Sequence, residues 1–209
     1  MRIGVPKEIK VHEYRVGLVP ASVRELVHNG HDVIVEQDAG VGVGFEDADY
    51  AAIGAEILPA AADVFKTADM IIKVKEPQAT EISMLRPDQI LFTYLHLAAE
   101  RDQTQGLVDS GCIGIAYETV TDDRGGLPLL APMSEVAGRM SIQVGALCLE
   151  KEKGGKGILL GGVPGVPVAK VVVLGGGVVG TNAARMAMGL EASVTVIDKS
   201  LPRLNELDM

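Results

Sequence analysis

The amino-acid sequence predicts an α/β protein in two parts, a parallel-sheet domain followed by the first part of a second, doubly wound domain. Two observations carry this expectation. Short apolar, β-branched runs recur with helical segments between them, the alternation that builds a parallel sheet covered on both faces. Late in the chain the tract KVVVLGGGVVGTNAARMAMGLEASVTVID, from Lys170 to Asp198, joins one such run to another through a glycine-rich turn. The first of these runs has no polar alternation, so it reads as a strand buried on both sides.

Taken in order, Ile3 to Val5, Asp32 to Val35, Met70 to Val74, Ile90 to Tyr94 and Cys112 to Tyr117 read as strands. Ala21 to Asn29 reads as a helix stopped by Gly30, and Ala99 to Ser110 as one stopped by Gly111, because glycine accepts the left-handed conformation that ends a helix. Ser134 to Glu150 puts Val136, Met140, Val144, Leu147 and Cys148 at helical spacing, with Ser134 as N-cap and Glu135 and Arg139 as a surface pair. Lys151 to Ala169, rich in Gly and Pro, then leads into the strand Val171 to Leu174. A helix from Val178 to Gly189 and a strand from Ser193 to Ile197 follow. The expected division is 1–133 and 134–209. The second part is a linking helix plus an incomplete doubly wound domain, since a complete one has two βαβαβ halves and only the first strand, helix and strand precede Met209. Ligands are expected between the domains.

Composition narrows the function classes. The chain has 209 residues, 47% of them hydrophobic, enough for one large or two small cores. A formal charge of −9 without any basic run argues against nucleic acid, and the absence of Trp argues against a base-stacking platform. The N-terminus MRIGVPKE has no apolar signal core. Gly157 to Gly180 is apolar enough to suggest a membrane span, but Pro164, Pro167, Lys170 and the glycines oppose one, so no membrane partner is expected. Cys112 and Cys148 lack metal-ligand spacing and read as two buried thiols in a reducing cytoplasm. His12, His28 and His31 have no second ligand at metal spacing, so no metal is expected.

Gly175, Gly177 and Gly180 form G-x-G-x-x-G where strand should become helix. The first allows the tight turn, the second lets a pyrophosphate approach the backbone, and the third lets helix and strand pack closely. Asp198 lies 18 residues beyond Gly180 at the end of the next strand, where an acidic residue receives ribose hydroxyls and repels the extra phosphate of NADP. A dinucleotide site follows, with NAD preferred and Lys199 and Arg203 weakening that preference.

Open parallel sheets bind ligands beyond the carboxyl ends of their strands, so the residues after each strand of the first domain are candidates for chemistry. KEIKVHEYR, KEP and HLAAE put Arg15, Lys75 and His96 on one rim. A guanidinium grips a carboxylate, an ammonium adds a point charge, and an imidazole exchanges protons near neutrality, which suits a small anionic substrate. The pattern leaves alternatives open. Arg15 also reads as a solvated charge among Lys7, Glu8, Lys10 and Glu13; Lys73 and Lys75 sit two apart with no basis for choosing; His96 also reads as a hydrogen-bonded structural histidine.

The stretches IGVPKEIKVHEYRVGLVP, KVKEP, TYLHLAAE, LLAPMSEVAGRMSIQVGA, GGVPGVPVAKVVVLGGGVVGTNAARMA and VTVIDKSLPRL resemble the N-terminal part of the alanine dehydrogenase / pyridine nucleotide transhydrogenase alpha family. Together they span essentially the whole chain. EYRVGLVP and TYLHLA are similar to the dehydrogenase branch more than to the transhydrogenase branch. The resemblance implies NAD-dependent conversion of L-alanine to pyruvate and ammonia in a cytoplasmic homo-oligomer, a hexamer. It implies a first domain that binds substrate and a second of Rossmann type that binds NAD. It further implies that Arg15 holds the substrate carboxylate, that Lys75 rather than Lys73 contacts substrate, and that His96 is the catalytic acid/base. Ser134, Asp198 and Arg203 match cofactor-contacting positions. Family chains continue beyond Met209, supplying a catalytic aspartate and the rest of the cofactor site. Two rivals remain: a transhydrogenase alpha component, and a truncated, non-catalytic fragment that acts only in assembly.

Overall fold

The computed structural model describes residues 1–208. Among them the chain forms two compact units, Met1–Val120 and one beginning at Thr121. The first holds a parallel sheet of β1 (Arg2–Val5), β2 (Asp32–Glu36), β3 (Glu56–Leu58), β4 (Met70–Ile72), β5 (Ile90–Thr93) and β6 (Ile113–Ala116). In the sheet the order is β3-β2-β1-β4-β5-β6, every pairing parallel. Between the strands run α1 (Pro20–His28), α2 (Asp47–Ala51), α3 (Ala61–Thr67), α4 (Ala79–Ile82) and α5 (Arg101–Ser110).

In β1, β2 and β4 the unbroken apolar sequence follows from burial on both faces, whereas the equally apolar edge strand β6 is largely exposed. Val33 and Val35 of β2 join Val5, Val23 and Tyr50 in one core, while Ile34 between them joins Val64, Phe65, Ile71 and Leu91 in the other. Successive strand residues point to opposite faces, so one strand feeds two cores. Gly30 and Gly111 take φ of 79° and 70° behind α1 and α5, the left-handed stops that their positions suggested. The pattern missed β3, α2, α3 and α4, of three to seven residues each, because so short a segment completes too few turns or alternations to show a period.

The second unit contains α6 (Ala131–Cys148), β7 (Lys170–Leu174), α7 (Val178–Gly189), β8 (Ser193–Ile197) and α8 (Leu201–Asp208). β7 and β8 pair in parallel from Lys170↔Ser193 to Leu174↔Ile197. Ile142 of α6 and Ala183 and Ala187 of α7 share a core with Leu160 and Ala169.

Four expectations for this region are corrected. The strand β7 is not buried on both sides: Val171 and Val173 face the core shared with α6 and α7, while Val172 and Leu174 on its other face are exposed. Ser134 is not an N-cap: α6 begins earlier, after Leu130, with a proline in its first turn, where the missing N–H costs no helical bond. Arg139 does not pair with Glu135; its Nε donates to Asn182 Oδ1 of α7 at 3.1 Å. Val136, Met140, Val144 and Leu147 are exposed, and α6 buries Gly138 and Ile142 instead, small or slim residues that let it approach the alanine-rich α7 closely. The thiols also depart from expectation, Cys112 being half-buried and Cys148 exposed. Among the described residues no helix is long and apolar enough to cross a membrane.

Candidate active site

The strand order of the first unit reverses between β1 and β4. From β1 the chain winds out through β2 and β3, and from β4 it winds the other way through β5 and β6. Connections leaving β1 and β4 therefore diverge, which is where an open α/β sheet offers a crevice at its carboxyl edge. Arg15 follows β1, Lys75 follows β4 and His96 follows β5, so the three rim candidates descend from adjacent strands.

Burial separates the two lysines. Lys73 is 0% exposed, its Nζ 3.1 Å from Glu8 Oε2 and 2.7 Å from Glu81 Oε1, both carboxylates also buried. One ammonium between two carboxylates does not neutralise both, and burial pushes the Glu81 carboxyl up against the pull of Lys73. Lys73 thus ties the loop after β1 to α4. Lys75 is only half-buried. Its backbone N–H and that of Val74 donate to Glu8 Oε1 at 3.3 and 2.6 Å, and its carbonyl accepts from Thr93 Oγ1 at 2.9 Å. Glu8 and Thr93 fix the backbone from which the Lys75 ammonium projects.

Arg15 is held by Glu13 in a two-pronged contact: Nε donates to Oε1 at 2.8 Å and Nη2 to Oε2 at 2.6 Å, while the Arg15 backbone N–H also donates to Oε1 at 2.9 Å. The Glu13 side chain is 6% exposed. Its hydrogen bonds from Arg15 hold the carboxyl below its ordinary value despite burial, with a further contribution from the charge of Lys75. Two anchors seat this loop. Buried Tyr50 donates its hydroxyl to the Leu18 carbonyl at 3.0 Å, and Gly17 lies so close to β4 that a Cβ would strike the Ile72 carbonyl.

His96 has φ of +50°, a left-handed conformation costly for a residue with a Cβ. Glu118, just past β6, stabilises it: Oε1 accepts the His96 N–H at 2.7 Å and the Leu95 N–H at 3.1 Å. The exposed His96 ring lies nearly parallel to Tyr94, centroids 6.1 Å apart, and Tyr94 meets Tyr117 edge-on at 5.0 Å. Burial pushes the Tyr94 phenol up and the charge of Arg15 pulls it back, so Tyr94 lies within electrostatic reach of the arginine while its ring stacks beside the imidazole.

In the second unit each motif glycine has its own physical reason. Gly175 has φ of +97° in the turn; a Cβ on Gly180 would collide with the Gly175 carbonyl; a Cβ on Gly177 would meet nothing within 4 Å. The turn therefore presents bare backbone at the start of α7, the shape a dinucleotide pyrophosphate requires. Ser134, Gly175, Gly177 and Gly180 line one cavity of about 550 Å³. Asp198 and Arg203 instead brace the turn. Asp198 Oδ2 accepts the Gly176 N–H at 2.6 Å and Oδ1 the Ser200 N–H at 2.8 Å, and these bonds hold its carboxyl below the ordinary value. Arg203 Nε donates to the Gly176 carbonyl at 2.6 Å and Nη2 to Thr181 Oγ1 at 2.7 Å.

The residues that sequence reasoning missed are the glutamates. Glu8, Glu13 and Glu118 each hold one rim candidate, the first two hidden in a loop that looked merely charged. Glu118 had a usable signal, since it follows β6 just as His96 follows β5. No cluster of three or more His, Cys, Asp or Glu could hold a metal among the described residues.

The chain matches the Alanine dehydrogenase/PNT N-terminal domain over residues 4–137 and the Alanine dehydrogenase/PNT C-terminal domain over residues 141–209. It is 64% identical to an alanine dehydrogenase of Halomonas elongata, covering all of this chain and 56% of that protein. Among solved structures, an L-alanine dehydrogenase superposes with a TM-score of 0.91 at 55% identity, over the whole of this chain and 57% of the other. A transhydrogenase from Sinorhizobium meliloti superposes with 0.80 at 28% identity, over the whole of this chain and 62% of the other. The chain thus spans a little over half the length of these relatives.

Proposed function

We propose, for a chain that belongs to the alanine dehydrogenase/PNT family, that its protein oxidatively deaminates L-alanine with NAD, giving pyruvate, ammonia and NADH, and runs the reverse amination of pyruvate. The observation that supports this reading is that Arg15, Lys75 and His96 each follow one of the adjacent strands β1, β4 and β5. Arg15 and Lys75 bind the carboxylate and steady the carbonyl end of the substrate, fixing the orientation of Cα. NAD, its pyrophosphate on the turn Gly175 to Gly180, supplies the hydride acceptor. His96 moves protons as the substrate imine takes up water and releases ammonia.

Ser134 belongs with the cofactor residues on this reading, so the functional boundary is proposed at 133/134 although the compact units divide at Val120. Asp198 and Arg203 are proposed to receive the adenosine ribose from the positions they hold beside Gly176. Both cysteines are free thiols, which supports a cytoplasmic protein. A homo-oligomer, a hexamer by family resemblance, is checked by sedimentation.

The transhydrogenase likeness favours a second reading, hydride exchange between nucleotides. One assay separates them. NADH formation that depends on L-alanine supports the first; hydride exchange between bound nucleotides with no response to alanine, pyruvate or ammonium replaces it with the second.

A further inference from the structure

We propose that Glu13 is the positioning residue of the substrate-carboxylate site: it fixes the Arg15 guanidinium so that a small monocarboxylate binds beside Glu13, the Glu13–Arg15 pair staying intact. This rests on the reading of Arg15 as the carboxylate-binding residue. A carboxylate already gripping the arginine that should grip substrate admits two roles, competitor or support, and three features select support.

Glu13 takes both the Nε and Nη2 donors of Arg15 and also its backbone N–H, so a single carboxylate sets the side chain and the main chain together. Its side chain is 6% exposed, whereas that of Arg15 is 42% exposed. An arriving ligand therefore meets the arginine and not the glutamate. Displacing Glu13 would break the three hydrogen bonds that its carboxylate accepts from Arg15, whereas a ligand that shares the guanidinium keeps them. The arrangement has a consequence for charge. With the Arg15 charge balanced by Glu13, the guanidinium grips the substrate carboxylate through directed hydrogen bonds, Lys75 adds net positive charge, and a second carboxylate on the ligand is repelled by Glu13.

The test uses the intact protein and the variants Glu13→Gln, Arg15→Ala and the double variant. The dissociation constant of pyruvate is read by calorimetry with NADH present, and kcat and KM from ammonium-dependent NADH oxidation on the same preparations. Glu13→Gln should weaken pyruvate binding about tenfold or more, the order of a lost charge-assisted hydrogen bond, with a smaller change in kcat and none in NADH affinity. The double variant should bind no worse than Arg15→Ala, because Glu13 acts through the arginine. Tighter or unchanged pyruvate binding in Glu13→Gln, or additive losses in the double variant, overturns the proposal. A wild type that binds pyruvate without turnover contradicts the proposed reaction while the role of Glu13 is still decided by the binding constants.

Discussion

The glycine turn of the second unit and the charged mouth of the first occupy equivalent places, the carboxyl end of a parallel strand leading toward a helix, yet they are built by opposite means. After β7 the chain runs Gly175-Gly176-Gly177 and exposes backbone; after β1 it runs Pro6-Lys7-Glu8 and begins a network of charges. A pyrophosphate is recognised by N–H groups and a helix terminus, so side chains must be removed. A small carboxylate is recognised by cations, and cations at a half-buried rim require carboxylates to hold them in place. On the proposed reading, glycine makes the first kind of site, and Glu8, Glu13 and Glu118 support the second.

The largest expected effect breaks the chemistry of the mouth alone. His96→Ala should lower turnover about 10²- to 10⁴-fold and leave the NADH dissociation constant unchanged. Near-normal turnover would remove His96 from the mechanism.

Next is the buried network beneath the rim. Glu8→Ala strips Lys73 of a partner and frees the Val74 and Lys75 N–H groups, so unfolding stability should fall by roughly 3–5 kcal/mol in denaturant titration. Replacing the three charges together with Lys73→Met, Glu8→Gln and Glu81→Gln should recover much of that loss, since the cost lies in the uncompensated charge. Equal stability of Glu8→Ala and wild type would mean that the network does not hold the rim.

The second and third glycines of the motif, Gly177 and Gly180, separate packing from binding. Gly180→Val forces atoms into the Gly175 carbonyl and should destabilise by about 1–3 kcal/mol while weakening NADH. Gly177→Val points into open space, so it should weaken NADH with little change in the unfolding midpoint. Similar destabilisation by both would erase the distinction between a glycine that packs and one that makes room.

The smallest effect is a pH dependence. The folded-state pKa of Glu13 lies below its ordinary value of 4.5, so its contribution is complete above that value and is lost as pH falls through the lowered one. With Arg15 partly exposed, this contribution should be under about 1 kcal/mol. Stability curves of wild type and Glu13→Gln should converge in acid; a constant gap across the acid range would show that the Glu13 charge is not what matters.

The two sites were unequally legible in the sequence for the same physical reason that they differ. The glycine turn is local, with its three glycines and Asp198 within one strand-helix-strand unit, and its elements α7 and β8 fall at the predicted residues. The mouth is assembled by strand order. That β1 lies beside β4 rather than at an edge cannot be read from the spacing of Arg15, Lys75 and His96, and neither can the burial that makes Lys73 a structural ion. The exposed stripe of α6 fails for a related reason: helical spacing marks an apolar face, whereas contact with α7 is set by the small residues on another. Glu13 was visible two residues from Arg15, but adjacency in a charged loop does not distinguish a two-pronged grip from two solvated side chains.

The division of labour between the two regions is tested most directly by Arg15→Ala in the intact protein, measuring the KM for pyruvate and the dissociation constant of NADH together. The expected result is a pyruvate KM raised on the order of tenfold to a hundredfold with NADH affinity unchanged. An unchanged pyruvate KM, or a parallel loss of NADH affinity, would contradict the account.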